Sequence, residues 1–458
     1  MKRKYPDGPK INLPLALLAQ MLPRLFRLDP LTFSDGLRKF GDIAHYKFGP
    51  LHVYQLNDPS LIRQVLVEEA EKFHKATLVK RAFRPISREG LLTSDGALWK
   101  QQRKLMQPAF HQRQLAGYAG LMADAAQTMM DSFADGEIRD IGTSMTKLTL
   151  GIVVKSLFGA DLPPEASEIS RSLVPALDAT NRRLNSVVPV PSWVPTPRHL
   201  RERRAIAKLD AMLQLLIKAR RASTENRDDL LSILLAAVDE ESGVRMSDQQ
   251  LRDEMTILFL AGHDTTASAL TWTWYLLSRH PEIELKLSNE LDRVLQGRSP
   301  CVEDLPKLGY TEMVIREAMR LYPPAPGFAR EPVEDVTIGG YEVPRGSVVL
   351  VHTWALHHDE RFFPDPERFD PERFAPGWEE RIPRYAYLPF GGGPRICIGN
   401  GFAMMEAKLV LATVSQRWRF ALESNEAIRP IQLVTVRPGA PVRMRLERRE
   451  PASRGSPC

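Results

Sequence analysis

The chain has 458 residues, of which 43% are hydrophobic and 26% are charged, as in an ordinary globular protein. This composition excludes a disordered chain, a collagen and a coiled coil. The formal net charge of +6 comes without a nucleic-acid-binding motif, so we expect a solvated basic surface, or a docking face for an acidic protein or anionic membrane, and no nucleic acid.

Cysteine usage and the N-terminus bear on where the protein resides. The chain contains three cysteines: Cys301, Cys397 and Cys458. This sparse, odd set gives no disulfide framework and fits a reducing cytoplasm. The apolar run Leu13–Leu22 is too short to span a bilayer as a helix. We therefore predict a cytoplasmic, soluble protein without a transmembrane anchor, with residues 1–30 as a peripheral segment and residues 450–458 as a disordered tail.

The first half of the chain predicts a hairpin followed by helices. Ile43–Phe48 and Leu51–Leu56 are strand-like runs joined by Gly-Pro. Asn57-Asp58-Pro59 predicts the start of a helix, because an Asx cap precedes proline at the first helical position. From Gly96 to about Asp239 the pattern is mainly helical, with a proline-rich break at Val188–Pro197.

The second half predicts one very long helix and a small sheet component. The long helix runs from about Ser247 to His280, and another runs from Tyr310 to Leu321. Three strands follow: Val336–Ile338, Tyr341–Val343 and Ser347–Val351. No Gly-x-Gly-x-x-Gly follows a strand, which argues against a nicotinamide or flavin domain. We predict a single domain over residues 1–458, mainly α with small β-sheets.

The strongest signal for chemistry is the segment Phe390–Gly399, followed by a helical run. Cys397 precedes that helix, where free N–H groups and the helix dipole stabilise a thiolate. Gly391–Gly393 remove side chains where the backbone could lie flat against a planar ligand. Arg395 is placed to pair with a carboxylate such as a haem propionate. The alternative is a buried structural cysteine beside a glycine turn.

The segment Leu260–Thr266, of sequence LAGHDTT, lies in the middle of the long helix. Glycine inside a helix costs about 1 kcal/mol relative to alanine, and Asp-Thr-Thr is an unfavourable helical run. A helix weakened at its centre could open locally and present the Asp264 carboxylate and the Thr265 hydroxyl to a ligand. The alternative is a threonine bonded back to a carbonyl one turn earlier, with Asp264 in a structural ion pair.

Three further features are informative only in combination. Glu317 and Arg320 stand three apart on the predicted helix, and such a pair usually lies on the surface. Arg373 lies in a proline-rich Pro-Glu-Arg-Phe segment, which alone predicts a solvated loop. Trp99 and Arg103, four apart in an early helix, could pack on and pair with a second propionate, but more often such residues are a helix surface pair.

These five elements, at their positions along the chain between Ile43 and Pro438, resemble the cytochrome P-450 superfamily, the haem-thiolate monooxygenases. The matching motifs are the family's cysteine loop, oxygen-binding helix, Glu-x-x-Arg helix, Pro-Glu-Arg-Phe segment and Trp-x-x-x-Arg helix. The resemblance implies the P-450 fold, in which a long central helix crosses over the haem. It implies heme b (iron protoporphyrin IX) as the cofactor.

The resemblance also assigns roles to single residues. Cys397 would be the metal ligand, while Asp264 and Thr265 would manage protons on the distal side. A buried charge network would be formed by Glu317, Arg320 and Arg373. The haem would be contacted by Trp99, Arg103, Arg330, Phe390, Gly391, Arg395 and Gly399. The substrate pocket would include Phe259, Ala261, Gly327 and Phe328, with Pro326 and parts of Phe83–Leu92.

The implied reaction is hydroxylation or epoxidation of an apolar fatty acid, terpenoid or steroid-like molecule by dioxygen. A separate donor, ferredoxin or flavodoxin with its reductase, would supply electrons to a monomeric enzyme. We expect it to dock on a basic face near the cysteine loop, with Arg103, Lys104 or Lys408. Two alternatives remain: a haem-thiolate isomerase or peroxygenase, which usually lacks the acid–threonine pair, and a haem-binding sensor or electron carrier, which needs neither that pair nor an apolar pocket.

Overall fold

The computed structural model describes residues 5–10, 29–159, 176–177, 179–184, 194–222, 229–239 and 243–449. Residues 11–28 of the predicted peripheral segment, residues 188–193 of the proline-rich break and the tail at 450–458 lie outside the described residues. Within the described parts, no helix is both long enough and apolar enough to cross a membrane.

The chain is mainly helical, with several small sheets, as predicted. The helices are α1 (Pro30–Gly36), α2 (Pro59–Arg63), α3 (Thr77–Ser87), α4 (Gly96–Met106), α5 (Gln112–Met130), α6 (Ile141–Phe158), α7 (Pro197–Ala222), α8 (Leu230–Ala236), α9 (Asp248–Arg279), α10 (Pro281–Leu295), α11 (Gly309–Leu321), α12 (Thr353–His357), α13 (Trp378–Arg381) and α14 (Asn400–Ser415). The strands are β1 (Ile43–Phe48), β2 (Leu51–Leu56), β3 (Phe73–Lys75), β4 (Ile138–Asp140), β5 (Phe328–Pro332), β6 (Val336–Ile338), β7 (Tyr341–Val343), β8 (Val348–Val351), β9 (Trp418–Leu422), β10 (Pro430–Gln432), β11 (Val436–Pro438) and β12 (Arg443–Arg448).

The largest sheet has five strands in the order β1-β2-β8-β5-β3. The predicted hairpin of β1 and β2 is confirmed, with Ile43 opposite Leu56 in antiparallel register. The second predicted hairpin, β6 with β7, is also present as a separate two-stranded sheet. After the next turn, β8 leaves that hairpin and pairs parallel with β2. Val348, Val349 and Val351 are all buried, which suits an inner strand covered on both faces.

The central helix α9 has 32 residues and therefore spans about 48 Å. Its predicted ends are confirmed, because Ser247 is the N-cap, with the expected capping box to Gln250, and His280 is the C-cap. Most of its side chains are buried, and it packs against α6, α7, α11 and α14. It is thus the axis around which the helical core is assembled.

The main apolar core lies between α5, α6, α9, α10, α11 and α14. One aromatic contact fixes the spacing of two of these helices: the rings of Trp272 on α9 and Tyr322, just after α11, stack with centroids 3.8 Å apart and planes 5° apart. The Trp272 Nε1 also donates to the Val436 carbonyl of β11 at 3.1 Å. The centre of α9 is therefore packed against other elements of the protein on several sides.

Candidate active site

A cavity of about 410 Å³ lies between the centre of α9 and the loop that precedes α14. Ala261 and Thr265 of α9 form part of one wall, and Cys397 with its loop forms the opposite wall. The remaining sides are mostly apolar and come from segments far apart in sequence, including Leu91 and Phe328. Such an apolar space with few polar groups is the usual form of a small-molecule site.

Backbone hydrogen bonds and glycines fix the cysteine loop. The Cys397 N–H donates to the Phe390 carbonyl at 2.9 Å, which closes the loop on itself. Gly391 and Gly393 have positive φ angles of 72° and 67°, which favour glycine. At Gly393, a Cβ would also overlap the carbonyl of Leu66 from the neighbouring segment. The loop therefore needs these glycines for its own conformation, whatever it binds.

The thiol of Cys397 faces the cavity, where it is accessible. Burial in the surrounding protein raises its pKa, while the Gly399 N–H, Arg103 and Lys75 act in the opposite direction. The effect of desolvation on the pKa of this thiol thus exceeds that of the helix start. A bound metal cation would supply the missing charge, since a coordinating thiol loses its proton.

A cluster of cations lies at the edge of the cavity. Arg395 pairs with Asp95 and lies over the Trp99 ring at 4.2 Å from its centroid. Arg330 is buried, and its guanidinium donates only to the adjacent Ala329 carbonyl at 3.2 Å. Among the described residues, no carboxylate pairs with Arg330, and a buried cation without a partner is expensive. The cluster is therefore built for an anion.

Lys75 belongs to this cluster, and sequence reasoning missed it. It stands opposite Arg330 in the antiparallel pair of β3 and β5, and it lines the cavity. Burial, with Arg330 and Arg395 nearby, lowers its pKa to about 7. The cavity thus combines a thiol, a loop bordered by glycines and more cations than carboxylates at its edge. These features fit a flat, anionic cofactor whose metal is held by sulfur.

Both threonines of the α9 centre bond back along the helix. Thr265 Oγ1 donates to the Ala261 carbonyl at 2.7 Å, and Thr266 Oγ1 donates to the Gly262 carbonyl at 3.2 Å. The helix stays continuous, so the local opening that we expected is not seen. Gly262 is required by packing, because a Cβ there would lie 2.9 Å from Val153 Cγ2 of α6.

Asp264 points away from the cavity and is not part of its wall. Its carboxylate accepts a hydrogen bond from Thr435 Oγ1 at 2.8 Å and pairs with Arg437, both from the segment around β11. The ion-pair alternative for this residue is therefore what the structure contains. Arg437 keeps 40% of its side chain exposed, so Asp264 is joined to the protein surface through it.

Comparison with known proteins identifies the chain. The family model Cytochrome P450 matches residues 6–442. This chain belongs to the cytochrome P450 family. It is similar to cyclooctatin synthase of Streptomyces melanosporofaciens, with 39% identity over 94% of both chains, and to pentalenene oxygenase of Streptomyces avermitilis, with 36% identity over 92% of this chain and 94% of the relative.

The fold comparison agrees. The crystal structure of the cytochrome P450DA heme domain superposes with a TM-score of 0.85 and 27% identity, covering 97% of this chain and 98% of that one. A further relative, cyclooctat-9-en-7-ol 5-monooxygenase of Streptomyces melanosporofaciens, is 36% identical over 85% of both chains. The predicted P450 fold and monooxygenase class are thus confirmed, and membership of the family implies a haem-thiolate cofactor.

In this P450 the Glu317–Arg320 pair is fully buried, which excludes the alternative of a surface pair. Arg320 holds Glu317 with two hydrogen bonds of 2.8 Å and donates to the His357 carbonyl at 2.9 Å. Arg373 Nε lies 3.3 Å from Glu317 Oε1. The three residues therefore join α11 to the proline-rich segment that leads to the cysteine loop.

Part of the predicted pocket of this P450 lies outside the cavity. Ala261, Gly327 and Phe328 line the cavity, but Phe259 is fully buried in the apolar core instead. Two helical positions separate Phe259 from Ala261, which rotates the side chain by about 200°. Of the stretch Phe83–Leu92, only the last two residues reach the cavity, and Pro326 does not.

The predicted haem contacts all line the cavity, whereas two of the predicted docking residues, Arg103 and Lys408, point into the protein. Trp99, Arg103, Arg330, Phe390, Gly391, Arg395 and Gly399 all line the cavity. The Arg103 Nη1 donates to the Ile396 carbonyl at 2.8 Å, so this side chain turns inward to the loop. Lys408 is also internal, because its ammonium donates to the Leu305 carbonyl at 2.7 Å and pairs with Glu312 at 2.8 Å. Neither residue belongs to an exposed docking face.

Proposed function

We propose that this P450 hydroxylates or epoxidises a terpenoid. The observation that carries the proposal is an apolar cavity with the Cys397 thiol on one wall and the Thr265 hydroxyl on the other. Among the three substrate classes that the sequence left open, terpenoids are favoured by the relatives, whose names place them in terpenoid oxidation. Fatty acids and steroids become the competing outcomes of the test.

The cofactor that best fits is heme b. Cys397 would ligate its iron, and Lys75, Arg330 and Arg395 would hold its propionates, which would give Arg330 the anionic partner that it lacks among the described residues. Bound in this way, a haem with a thiolate ligand favours cleavage of the O–O bond of dioxygen. Trp99 would pack beside a propionate through its contact with Arg395.

On the opposite wall, Thr265 is the hydroxyl that faces the substrate space. It would pass protons into the cavity, exchanging its hydrogen bond to the Ala261 carbonyl for one to a ligand. Asp264 would supply protons from the surface side, since Arg437 links its carboxylate to solvent. The carboxylate must leave Arg437 to do so, which makes this ion pair part of the proposed proton route.

The electron donor that we propose is a ferredoxin or a flavodoxin with its reductase. Three cations lie on the face formed by α4 and the start of α5: Lys100, Lys104 and Arg113. Arg113 is exposed, whereas the exposed Lys104 pairs with Asp239 at 2.8 Å and Lys100 Nζ reaches the exposed Glu71 at 3.1 Å. This face is close to the cysteine loop, because Phe110 and Leu115 contact the glycines on either side of Asn400. We propose further that residues 1–458 form a single-domain, monomeric, cytoplasmic enzyme.

The test is a spectral binding screen of the purified holoenzyme against terpenes, fatty acids and steroids. A substrate that displaces water from the haem changes the spin state and shifts the main absorption band. We expect saturable shifts with terpenes, and oxygenated products of the same compounds when reductant, donor and dioxygen are supplied. Shifts and products with fatty acids or steroids alone would contradict the terpenoid assignment.

A further inference from the structure

Three consecutive charged residues near the start of the central helix have no place in the site described so far. Arg252, Asp253 and Glu254 lie in the second turn of α9, and at most 4% of each is exposed. Their side chains contact the backbone of the last turn of α3 and of the loop that follows it, residues 88–95, which we call the α3–α4 loop. Because successive helical positions point about 100° apart, the chain wraps part of the way around α9 to reach all three.

Arg252 and Asp253 form one half of this attachment. Arg252 Nη1 donates to the Ile86 carbonyl at 3.1 Å and pairs with Asp253 Oδ1 at 2.9 Å. Arg252 also pairs with Asp210 of α7, and the Glu89 N–H donates to Asp253 Oδ2 at 3.4 Å. Buried charges that are paired in this way are costly to separate. The ion pairs therefore hold the start of the α3–α4 loop between α7 and α9.

Glu254 forms the other half, and it does so without a cation. The Leu91 N–H donates to Glu254 Oε2 at 2.9 Å, the shortest of the three contacts to the backbone. In the described part of the chain, no lysine or arginine pairs with Glu254, and its buried Oε1 has no hydrogen-bond partner. Burial raises its pKa to about 8, an effect that the Leu91 N–H opposes and Asp253 supports. At neutral pH the loop is therefore held mainly by the uncharged acid.

The α3–α4 loop does not have the conformation that it would prefer alone. Arg88 has a φ angle of 45°, which side chains other than glycine rarely adopt, and it pairs with Asp210 of α7 at 2.7 Å. Gly90 lies directly on the central helix, because a Cβ there would be 2.4 Å from Ile257 Cδ1 and 3.1 Å from the Asp253 carbonyl oxygen. The position of the loop is thus imposed by its contacts with α7 and α9.

The loop held in this way carries part of the cavity wall. Leu91 and Leu92 line the cavity together with Ile257 of α9, whereas Glu254 itself is not part of the wall. We propose that Glu254 is a positioning residue that fixes these two leucines through the Leu91 N–H, and so selects the carbon of an apolar substrate that is oxidised. The effect on oxidation rests on the proposed function, whereas the effect on the shape of the cavity does not.

Loss of the acceptor should move the loop and not unfold it. Without Glu254 Oε2, the Leu91 N–H would be buried and unpaired, which is unfavourable. Arg252 and Asp253 would still hold the start of the loop, so the displacement should be greatest at Leu91 and Leu92. Glu254→Gln keeps an acceptor oxygen at the same reach and resembles the neutral acid, whereas Glu254→Leu lacks an acceptor.

Two further variants separate the position of the loop from the loss of a buried acid. Gly90→Ala keeps Glu254 but should displace the loop, because the added Cβ overlaps Ile257. Glu290→Leu removes another buried acid, which accepts from the Tyr310 N–H at 2.7 Å away from the cavity. We expect the first variant to behave like Glu254→Leu, and the second to be less stable but otherwise like wild type.

Amide hydrogen exchange of the holoenzyme tests the hydrogen bond, with peptides that cover residues 88–95. The Leu91 amide should exchange about tenfold faster, or more, in Glu254→Leu than in wild type, because it has lost its acceptor. Glu254→Gln should stay within about twofold of the wild-type rate, since its amide oxygen can accept. Equal exchange in wild type and Glu254→Leu would mean that Glu254 does not hold the loop, which overturns the proposal.

Ligands of the haem iron test the cavity wall independently of any substrate. Imidazole is a small ligand, whereas 4-phenylimidazole extends a second ring into the apolar cavity. In Glu254→Leu and Gly90→Ala, the Kd of 4-phenylimidazole should change several-fold, while that of imidazole should stay within about twofold of wild type. Glu254→Gln and Glu290→Leu should leave both values as in wild type. Equal changes for the two ligands, or no change for either, would contradict a role of Glu254 in shaping the wall.

The ratio of oxidised products tests the selection of the carbon. With a terpene that wild type oxidises at more than one position, Glu254→Leu should change the ratio several-fold, and Glu254→Gln and Glu290→Leu should keep it. A lower yield with an unchanged ratio would indicate a general structural role and overturn the proposed selection. If wild type oxidises no terpene while the exchange and the imidazole results are as stated, the terpenoid assignment fails and the positioning of the loop by Glu254 stands.

Discussion

The two walls of the cavity are held in shape by different kinds of contact. On the cysteine wall, the loop is closed by its own backbone, with Cys397 bonded to Phe390 and glycines at the positions of positive φ. On the opposite wall, α9 is a regular helix whose polar centre is held by side chains of other elements. Thr149 of α6 donates to the His263 carbonyl at 2.9 Å, and Arg437 pairs with Asp264.

This difference separates local from tertiary control. The conformation of the cysteine loop depends mainly on residues that are neighbours in sequence, with one further hydrogen bond from Arg103 of α4. A change in the loop should therefore remove the ligand or the loop itself. The helix wall depends on partners up to 173 positions away, as for Asp264 and Arg437. Changes there should leave the cofactor bound and alter only how oxygen and protons are used.

The largest effect is expected at Cys397. Cys397→Ala should abolish the strongly red-shifted absorption of the reduced carbonyl complex, because no other described sulfur faces the cavity except that of Met319 and Met404, which are thioethers and not thiolates. Product formation should fall to background. Cys301→Ala is the control, since this cysteine contacts Asp304 away from the site. An unchanged spectrum in Cys397→Ala would remove the ligand assignment.

The second largest effect is expected for the charge pair below the loop. Arg320→Ala leaves Glu317 as a buried carboxylate without its main partner, which typically costs about 3–5 kcal/mol. The exposed pair of Arg443 and Glu423 is the comparison, and Arg443→Ala should cost less than about 1 kcal/mol. Urea unfolding of the holoenzyme measures both. Similar losses would mean that the buried network is not what stabilises this wall.

The sequence was informative where the contacts are local. The cysteine loop, the long helix with its caps and the Glu-x-x-Arg helix were predicted almost to the residue, because glycines, caps and helical spacing act between near neighbours. The prediction that Phe259 lines the pocket was wrong, because it followed a family position and not the rotation of side chains around the helix. The residues alone favoured a surface position for Glu317 and Arg320, because burial by the proline-rich segment is a tertiary effect.

Two residues that matter for the site had no local signal. Lys75 reaches Arg330 only through the pairing of β3 with β5. Arg437 stands out only when α9 is placed beside β11. Each is a charged or ionisable side chain whose sequence neighbours are unremarkable, so its role depends on which elements pack together.

The third prediction concerns pH and the cation cluster. Without haem, Lys75 has a pKa of about 7, and a bound propionate would favour its charged form. Haem binding therefore has the full benefit of Lys75 below pH 7 and loses it as the pH rises above 7, by at most about tenfold per pH unit. Deprotonation of Cys397 acts with the opposite sign, so the measurement is the difference between wild type and Lys75→Met in haem affinity against pH. A constant difference across this range would contradict the assignment of Lys75.

The fourth prediction tests the helix wall at Thr265. Thr265→Ala should take up electrons at a comparable rate, yield several-fold less product and release more hydrogen peroxide, because the hydroxyl that faces the cavity is lost. Thr265→Ser should keep the yield. Thr273→Ala is the structural control, since Thr273 makes the same kind of bond, to the Ala269 carbonyl at 2.7 Å, away from the cavity. Equal losses in Thr265→Ala and Thr273→Ala would favour a helix-stabilising role for Thr265.

The smallest effect is expected where the donor docks. Arg113 is exposed at the start of α5, and the same helix places Leu115 against the glycine that follows Asn400. For an acidic donor, Arg113→Glu should slow reduction a few-fold at low salt, because steering by opposite charges raises the association rate. The difference should disappear at high ionic strength, where charges more than about 10 Å apart are screened.

Arg443→Glu carries the same charge change on β12 and should leave both the rate and its salt dependence as in wild type. A Lys408→Met variant would lower stability through Glu312 without changing the salt dependence, because Lys408 lies inside the protein. If wild type and Arg113→Glu respond to salt equally, the face formed by α4 and α5 is not the docking face.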